Sequence, residues 1–151
     1  MRQNPHPAED PANELVFSTA ENAPEGLPLL ARAAFAGFPS PAEDFVEKRI
    51  DLNECLVRHK EATFFLRVQG DCMARLGIGD GDLLVVDRSL SPKHGNVVVA
   101  VVEGQLMVKQ LLQWDGQCIL RAASPKSPDV AISPQTDLVI WGVVCWSIHR
   151  L

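Results

Sequence analysis

Two residues in this sequence, Cys72 and Lys109, have types and surroundings that could form a nucleophile and its base. Cys72 follows Gly70-Asp71 where a strand-like run gives way to a polar turn, and Lys109 lies 37 residues later inside a second strand-like run. A thiol becomes a strong nucleophile when a neighbouring group takes its proton, and a neutral lysine amine is such a group. If the two side chains meet in the fold, the sequence predicts a peptidase-type site.

The sequence leaves two interpretations open for each residue. Alternation along residues 106–112 places Met107, Lys109 and Leu111 on one face of a strand. Lys109 is then either a gatekeeper on an edge strand, which the strand alone favours, or an amine removed from water. Cys72 is either an ordinary buried cysteine or a nucleophile. In the second case a helical turn over residues 73–76 would direct backbone N–H groups at it and stabilise a thiolate or an oxyanion.

The elements that must position these residues are mostly strands. A capping box, with Asp51 as the cap and Glu54 three residues on, predicts one helix over residues 52–59. Glu103-Gly104 predicts a tight hairpin turn. The last strand is almost continuously apolar from 138 to 146, which favours a strand covered on both faces or one at a subunit interface. The predicted strands cover residues 63–68, 82–87, 96–102, 105–112, 118–122 and 138–149.

The first 36 residues differ from the rest of the chain. They contain five prolines and have a formal net charge of −3, so we expect an extended, flexible N-terminal arm. The arm is acidic and shorter than the roughly 60 residues of a helix-turn-helix module. Residues 37–151 are expected to form one compact, mainly β domain with one short helix.

Composition excludes several classes of function. The formal net charge of −5 argues against direct, specific DNA binding. No apolar run is long enough to span a bilayer, and no secretory signal follows Arg2, so we expect a cytoplasmic protein. The histidines and cysteines are scattered, which predicts neither a metal site nor disulfides. The apolar neighbours of Cys55, Cys118 and Cys145 favour buried, structural roles for these cysteines.

Several segments together resemble the LexA/UmuD family of self-cleaving serine–lysine dyad peptidases, and most closely its UmuD-type branch. The similarity covers residues 35–151, and the motifs occur in the family's order and spacing. The most specific signal is the Gly-Asp-x-Met block followed by the strand lysine. The segments are Gly37-Phe38-Pro39-Ser40-Pro41, Arg49-Ile50-Asp51-Leu52-Asn53, Gly70-Asp71-Cys72-Met73, residues 79–87 and Val108-Lys109-Gln110-Leu111.

This resemblance implies a mechanism and a set of partners. Cys72 would be the nucleophile, Lys109 the general base and Ala36–Gly37 the scissile bond, with the backbone amides of Asp71 and Cys72 as the oxyanion hole. No metal or cofactor is implied. The family context is the SOS response to DNA damage. It implies a homodimer that is cleaved when a RecA–single-stranded DNA filament stimulates it, and that then serves a UmuC-type polymerase in translesion synthesis, SOS mutagenesis and DNA repair.

The sequence departs from the family at Cys72, where the family has serine. The departure leaves three alternatives: a natural variant that still cleaves, a natural variant that acts only by binding, and an engineered substitution. Because thiolates are good nucleophiles, we expect cleavage to be retained. The alternative is a cleavage-deficient interaction module that regulates a polymerase or RecA. A redox switch at Cys72 would instead require a thiol that peroxide oxidises independently of Lys109.

Overall fold

The computed structural model describes residues 27–30 and 46–151. The chain divides into two compact units, residues 1–51 and residues 52–151. In the first unit, strands β1 (Leu27–Leu30) and β2 (Val46–Ile50) pair antiparallel, with Leu27 opposite Ile50. The remainder of the predicted arm, including Ala36–Gly37, lies outside the described residues.

The second unit is an antiparallel sheet of seven strands, which confirms the predicted mainly β fold with one short helix. The sheet order is β3-β4-β9-β5-β6-β7-β8, so the last strand lies near the middle. Its strands are β3 (Thr63–Arg67), β4 (Leu83–Asp87), β5 (Val97–Val102), β6 (Gln105–Trp114), β7 (Gln117–Arg121), β8 (Val130–Ile132) and β9 (Leu138–Ile148).

The helix α1 (Leu52–Leu56) is three residues shorter than predicted. Its last turn closes where the Val57 amide donates to the Asn53 carbonyl at 2.9 Å. His59 has left helical geometry, at φ −124° and ψ 88°, and its imidazole bonds to Asp87 at 2.6 Å. This long-range contact with the sheet overrides the local helical preference.

Hairpin turns join the neighbouring strands β5–β6 and β6–β7. Glu103 and Gly104 both have positive φ, 48° and 78°, which confirms the predicted tight turn. Asp115 and Gly116 repeat this geometry, at 44° and 77°. Because this second turn begins at Asp115, β6 continues past its predicted end at residue 112.

Apolar side chains pack on both faces of the sheet. Val99 and Val108 belong to one cluster, whereas Val98 and Leu111 belong to the other. Of the two interpretations of the apolar run in β9, cover on both faces is wrong, because only Gly142 and Val143 are buried along this strand, and the subunit interface stays a prediction. Exposed apolar side chains remain on it, among them Trp146 and Ile148. Across the described residues, the helices are too short and polar to traverse a bilayer.

Candidate active site

Cys72 lies in a loop that joins β3 to β4 and is closed at its base by backbone hydrogen bonds. The Val68 amide donates to the Asp82 carbonyl at 2.8 Å, and the Gly81 amide donates to the Val68 carbonyl at 2.9 Å. Farther along, the Gly70 amide donates to Asp80 Oδ1 at 2.6 Å. Gly70 has φ +92°, a conformation that glycine adopts without strain. These contacts fix the backbone on both sides of the thiol.

Asp82 anchors the same loop to the end of the last strand. Its buried carboxylate accepts from the Gly79 amide at 2.8 Å, from His149 Nδ1 at 2.6 Å and from Ser147 Oγ at 3.2 Å. The pKa of Asp82 is held below its usual value, first by the Gly79 amide and then by His149. The loop is therefore tied to β9 by a carboxylate that stays ionised.

A single turn of 3-10 helix, Ala74–Leu76, follows Cys72. The predicted helical turn over residues 73–76 is thus present, one residue shorter at its start. Met73 is fully buried and anchors the turn in the core. The Arg75 amide donates to the Ala123 carbonyl at 2.9 Å, which ties the turn to the β7–β8 connection.

Lys109 lies in β6 and is only 7% exposed. It stands opposite Val98 of β5, and Met107 and Leu111 share its face. In the sheet order β6 lies between β5 and β7, but its pairing with β7 begins only at Gln110. A gatekeeper lysine extends its amine into solvent at an open edge, whereas this side chain is buried, so the second interpretation, an amine withdrawn from water, describes this residue.

Cys72 and Lys109 line one cavity of about 470 Å³. Cys72 Sγ donates to the carbonyl oxygen of Val108, the residue before Lys109, at 3.7 Å. The remaining lining residues are Leu66, Arg67, Val68, Gln69, Gln105, Leu106, Met107 and Val108. The cavity is thus bounded by the end of β3, the Cys72 turn and the first half of β6.

The backbone around Cys72 offers donors for an anion. Among the hydrogen bonds formed by residues 50–151, none uses the amide of Asp71 or of Cys72 as a donor. Both amides lie at the nucleophile, where an oxyanion hole for acyl transfer has to be. The arrangement therefore combines a thiol and a buried amine on one cavity with two backbone amides in the turn that carries the thiol.

The cavity also exposes an unpaired stretch of strand. β6 begins to pair with β7 only at Gln110, opposite Arg121. The Leu111 amide donates to the Asn96 carbonyl on the β5 side, so by alternation the backbone groups of Leu106 and Val108 point the other way. Within the described chain, residues 105–109 have no strand partner on that side. An extended peptide could add there as a further strand.

A second polar cluster, His59, Asp87 and Ser89, is not a catalytic triad. His59 Nδ1 donates to Asp87 Oδ2 at 2.6 Å, and Ser89 Oγ donates to Asp87 Oδ1 at 2.6 Å. Ser89 Oγ also lies 3.1 Å from the same Nδ1 atom. A triad requires the carboxylate and the serine on different imidazole nitrogens. The cluster instead lowers the pKa of Asp87 to about 2, mainly through the bond from His59.

The other cysteines differ partly from expectation. All four cysteines are free thiols, but Cys55 and Cys145 are exposed rather than buried, and Cys118 is partly buried. Cys55 lies in α1, which has no buried residue, so the apolar residues beside it in the sequence do not bury it. Desolvation raises the pKa of Cys118 and of Cys145. In the described part of the chain, no group of three potential metal ligands comes together.

Sequence reasoning missed two parts of the site. The Val108 carbonyl that accepts from Cys72 is a backbone group, and no residue type signals it. The β7–β8 connection reaches the Cys72 turn through Ala123, and Lys126 Nζ lies 3.6 Å from Asp71 Oδ2. Its Ser-Pro repeat at residues 124–128 indicates only a loop. Neither contact had a sequence signal that could locate it.

Comparisons with known proteins agree on one family. A family model described as Peptidase S24-like matches residues 28–145. Protein ImpA of Salmonella typhimurium is 42% identical over 123 residues, covering 82% of this chain and 83% of that protein. Protein MucA of Escherichia coli is 40% identical over 136 residues, covering 89% and 92%. The LexA repressor of Ectopseudomonas mendocina is 36% identical over 132 residues, covering 87% of this chain and 64% of the repressor.

Proposed function

Because this chain belongs to the Peptidase S24-like family, as a UmuD-like member of the LexA/UmuD group, we propose that it cuts its own Ala36–Gly37 bond. The processed form then acts as an accessory subunit of an error-prone translesion polymerase. The observation that carries the cleavage step is the shared cavity of Cys72 and Lys109. Family membership supports the SOS mutagenesis role.

Cleavage begins with transfer of a proton from the Cys72 thiol to the Lys109 amine. The thiolate attacks the Ala36 carbonyl carbon, and the resulting oxyanion is held by the amides of Asp71 and Cys72. The intermediate collapses as the C–N bond breaks and Lys109 returns the proton to the departing Gly37 amine. Ala36 is left as a thioester on Sγ, and water activated by Lys109 hydrolyses it to a carboxylate and the free thiol.

The open edge of β6 accounts for how the substrate is held. A segment around Ala36–Gly37 that adds to residues 105–109 would lie along the cavity wall, within the volume that Cys72 also lines. Backbone pairing fixes the position of a peptide bond without regard to side chains. Small residues on both sides of the scissile bond then allow close approach of Sγ.

The second candidate is a cleavage-deficient interaction module. One observation favours it: the resting thiol gives its hydrogen bond to the Val108 carbonyl. A carbonyl accepts this bond but cannot act as a base, so the thiol hydrogen is directed at a group that does not activate it. If this contact persists with the substrate in place, Lys109 does not take the thiol proton and the arm stays attached.

An intact-mass experiment separates the two candidates. The purified protein is incubated at alkaline pH, or with activated RecA filaments, beside a Cys72→Ser variant that restores the family's nucleophile. We expect a fragment that begins at Gly37 from both proteins. An uncut wild-type chain under conditions that cut Cys72→Ser would overturn cleavage by Cys72 and establish the interaction module.

The partners follow from the same family membership. We propose stimulation by a RecA–single-stranded DNA filament, association with a UmuC-type polymerase, and a homodimer without direct, specific DNA binding. The exposed Trp146 and Ile148 on β9 support a subunit interface, because large apolar side chains are favoured at the centre of such interfaces. The net charge of −5 supports reliance on protein partners rather than on DNA phosphates.

A further inference from the structure

A sulfur nucleophile changes what the acyl intermediate can do. An acyl group on Cys72 is a thioester, in which the carbonyl is less stabilised by resonance than in the oxygen ester that serine would form. Thioesters therefore react readily with amines, whereas oxygen esters react with them slowly. Which nucleophile ends the reaction then depends on what can reach the carbonyl carbon next to Sγ.

The cavity beside Sγ is large enough to admit more than water. Its volume is about 470 Å³, whereas a water molecule occupies about 30 Å³ in the liquid. Leu106, at 48% exposed, lies on one wall, so the cavity communicates with solvent. A small amine can therefore compete with water for the thioester.

The charges of the cavity select among amines. Among the described residues, the ionisable ones that line it are Arg67, Cys72 and Lys109, and none of these is a carboxylate. Arg67 donates one hydrogen bond to the Gly81 carbonyl at 3.0 Å, which leaves other guanidinium donors available, since arginine has five. The Arg67 guanidinium disfavours a positively charged acceptor and favours one that carries a carboxylate.

We propose that the Cys72 site is also an acyltransferase, which passes the Ala36 acyl group to amines that carry a carboxylate, such as the N-terminus of a short peptide. This inference rests on the proposed cleavage at Ala36–Gly37. The acceptor's neutral nitrogen attacks the thioester carbonyl, the C–S bond breaks, and Lys109 transfers the amine proton to the departing sulfur. The products are an amide at Ala36 and the free Cys72 thiol, so no oxidant or cofactor is consumed.

The test uses the full-length protein under cleaving conditions with glycylglycine, whose α-amine is partly neutral near its pKa of about 8. The mass of the released arm is measured. We expect a share of arms that end in Ala36-Gly-Gly. When the diamine putrescine replaces glycylglycine, we expect few or no arms that carry putrescine as an amide at Ala36. Cys145→Ser, which removes an exposed thiol that does not line this cavity, should form the adduct as the wild type does.

Four outcomes distinguish the hypotheses. Cleavage by the wild type that yields only arms with a free carboxylate would overturn acyl transfer and leave the cleavage proposal standing. Equal adduct formation by Cys72→Ser would overturn sulfur as its cause. No cleavage by the wild type, where Cys72→Ser cuts, would overturn the proposed function and acyl transfer with it. A preference for glycylglycine that persists in Arg67→Gln would remove Arg67 as the source of selectivity.

Discussion

At the scale of single residues, variants of Lys109 distinguish between two roles for its amine, a proton acceptor and a fixed positive charge. We expect Lys109→Ala to slow cleavage by at least about 10²-fold, the usual contribution of a general base. Lys109→Arg keeps the cation but cannot accept a proton, because guanidinium stays charged in proteins. We therefore expect it to be equally slow. The rate of appearance of the Gly37 fragment measures both variants, with thermal unfolding as the check on the fold.

The behaviour of Lys109→Arg is the decisive outcome. If that variant cleaves at the wild-type rate, Lys109 acts only as a cation, and another group must take the thiol proton. Lys109→Met provides the matched control for the fold, because it preserves most of the volume of this buried side chain and has no titratable group. Lys109→Met should show a cooperative thermal unfolding transition and remain inactive in cleavage.

A second residue-scale prediction concerns acid stability and Asp87. Its pKa is lowered from 3.8 to about 2 by hydrogen bonds from His59 and Ser89. A depressed carboxyl pKa contributes stability that is fully present above the unfolded value and is lost as pH falls towards the folded value. We expect Asp87→Asn to lower the free energy of unfolding by about 1–3 kcal/mol at neutral pH, and to reduce the loss of stability between about pH 4 and pH 2.

Denaturant unfolding over this pH range measures the effect. Asp115→Asn is the matched control, since Asp115 is exposed and occupies a positive-φ turn position that asparagine also favours. The control should keep the wild-type pH dependence. An Asp87→Asn protein with that same dependence would show that the His59–Asp87 bond does not set acid stability.

At the scale of elements, the open edge of β6 makes a prediction about substrate binding. The Leu106 amide points away from β5, so proline at this position removes no bond of the sheet. It does remove a donor that an added substrate strand would use. We expect Leu106→Pro to lose most cleavage and keep its thermal stability, whereas Leu106→Ala, which trims the same exposed side chain, cleaves as the wild type does.

Cleavage by Leu106→Pro at the wild-type rate would contradict strand addition at this edge. Binding of an uncut peptide that spans residues 30–42, added in trans to a Cys72→Ala variant, gives a readout without chemistry. The affinity of the peptide for the Cys72→Ala protein should fall when Leu106→Pro is added and should stay the same when Leu106→Ala is added. A fall in thermal stability would instead reveal that the amide contributes to the sheet.

The same elements show why part of the site was predictable. The valine run of β5, the alternation along residues 106–112 and the Glu103-Gly104 turn predicted β5 and β6 almost to their bounds, since local chemistry dictates these features. β8, with only three residues, has too short a pattern to detect. Lys109 is buried in the folded sheet, where β6 pairs with β5 and, only from Gln110 onward, with β7. Periodicity could name the face that Lys109 occupies but could not show what covers it.

At the scale of the whole molecule, the proposed cut falls between two paired strands. β1 lies before Ala36–Gly37 in the chain and β2 lies after it, and the two pair antiparallel. In the intact chain the connection keeps β1 at a high effective concentration beside β2. After the proposed cut, the contact between them in the described residues is a two-stranded pairing of four to five residues, and isolated pairings of this size are marginal in water.

We therefore expect the cut arm to dissociate and the backbone amides of Val46–Ile50 to lose protection from hydrogen exchange. The arm carries −3 of the chain's formal charge of −5, so its release also shifts elution on an anion-exchange column. Mass spectrometry of the separated products, with exchange measured before and after cleavage, tests both expectations. The contrary outcome is co-elution of the arm with residues 37–151, with protection retained at β2. It would show that the arm stays bound after the cut and that cleavage does not free β2.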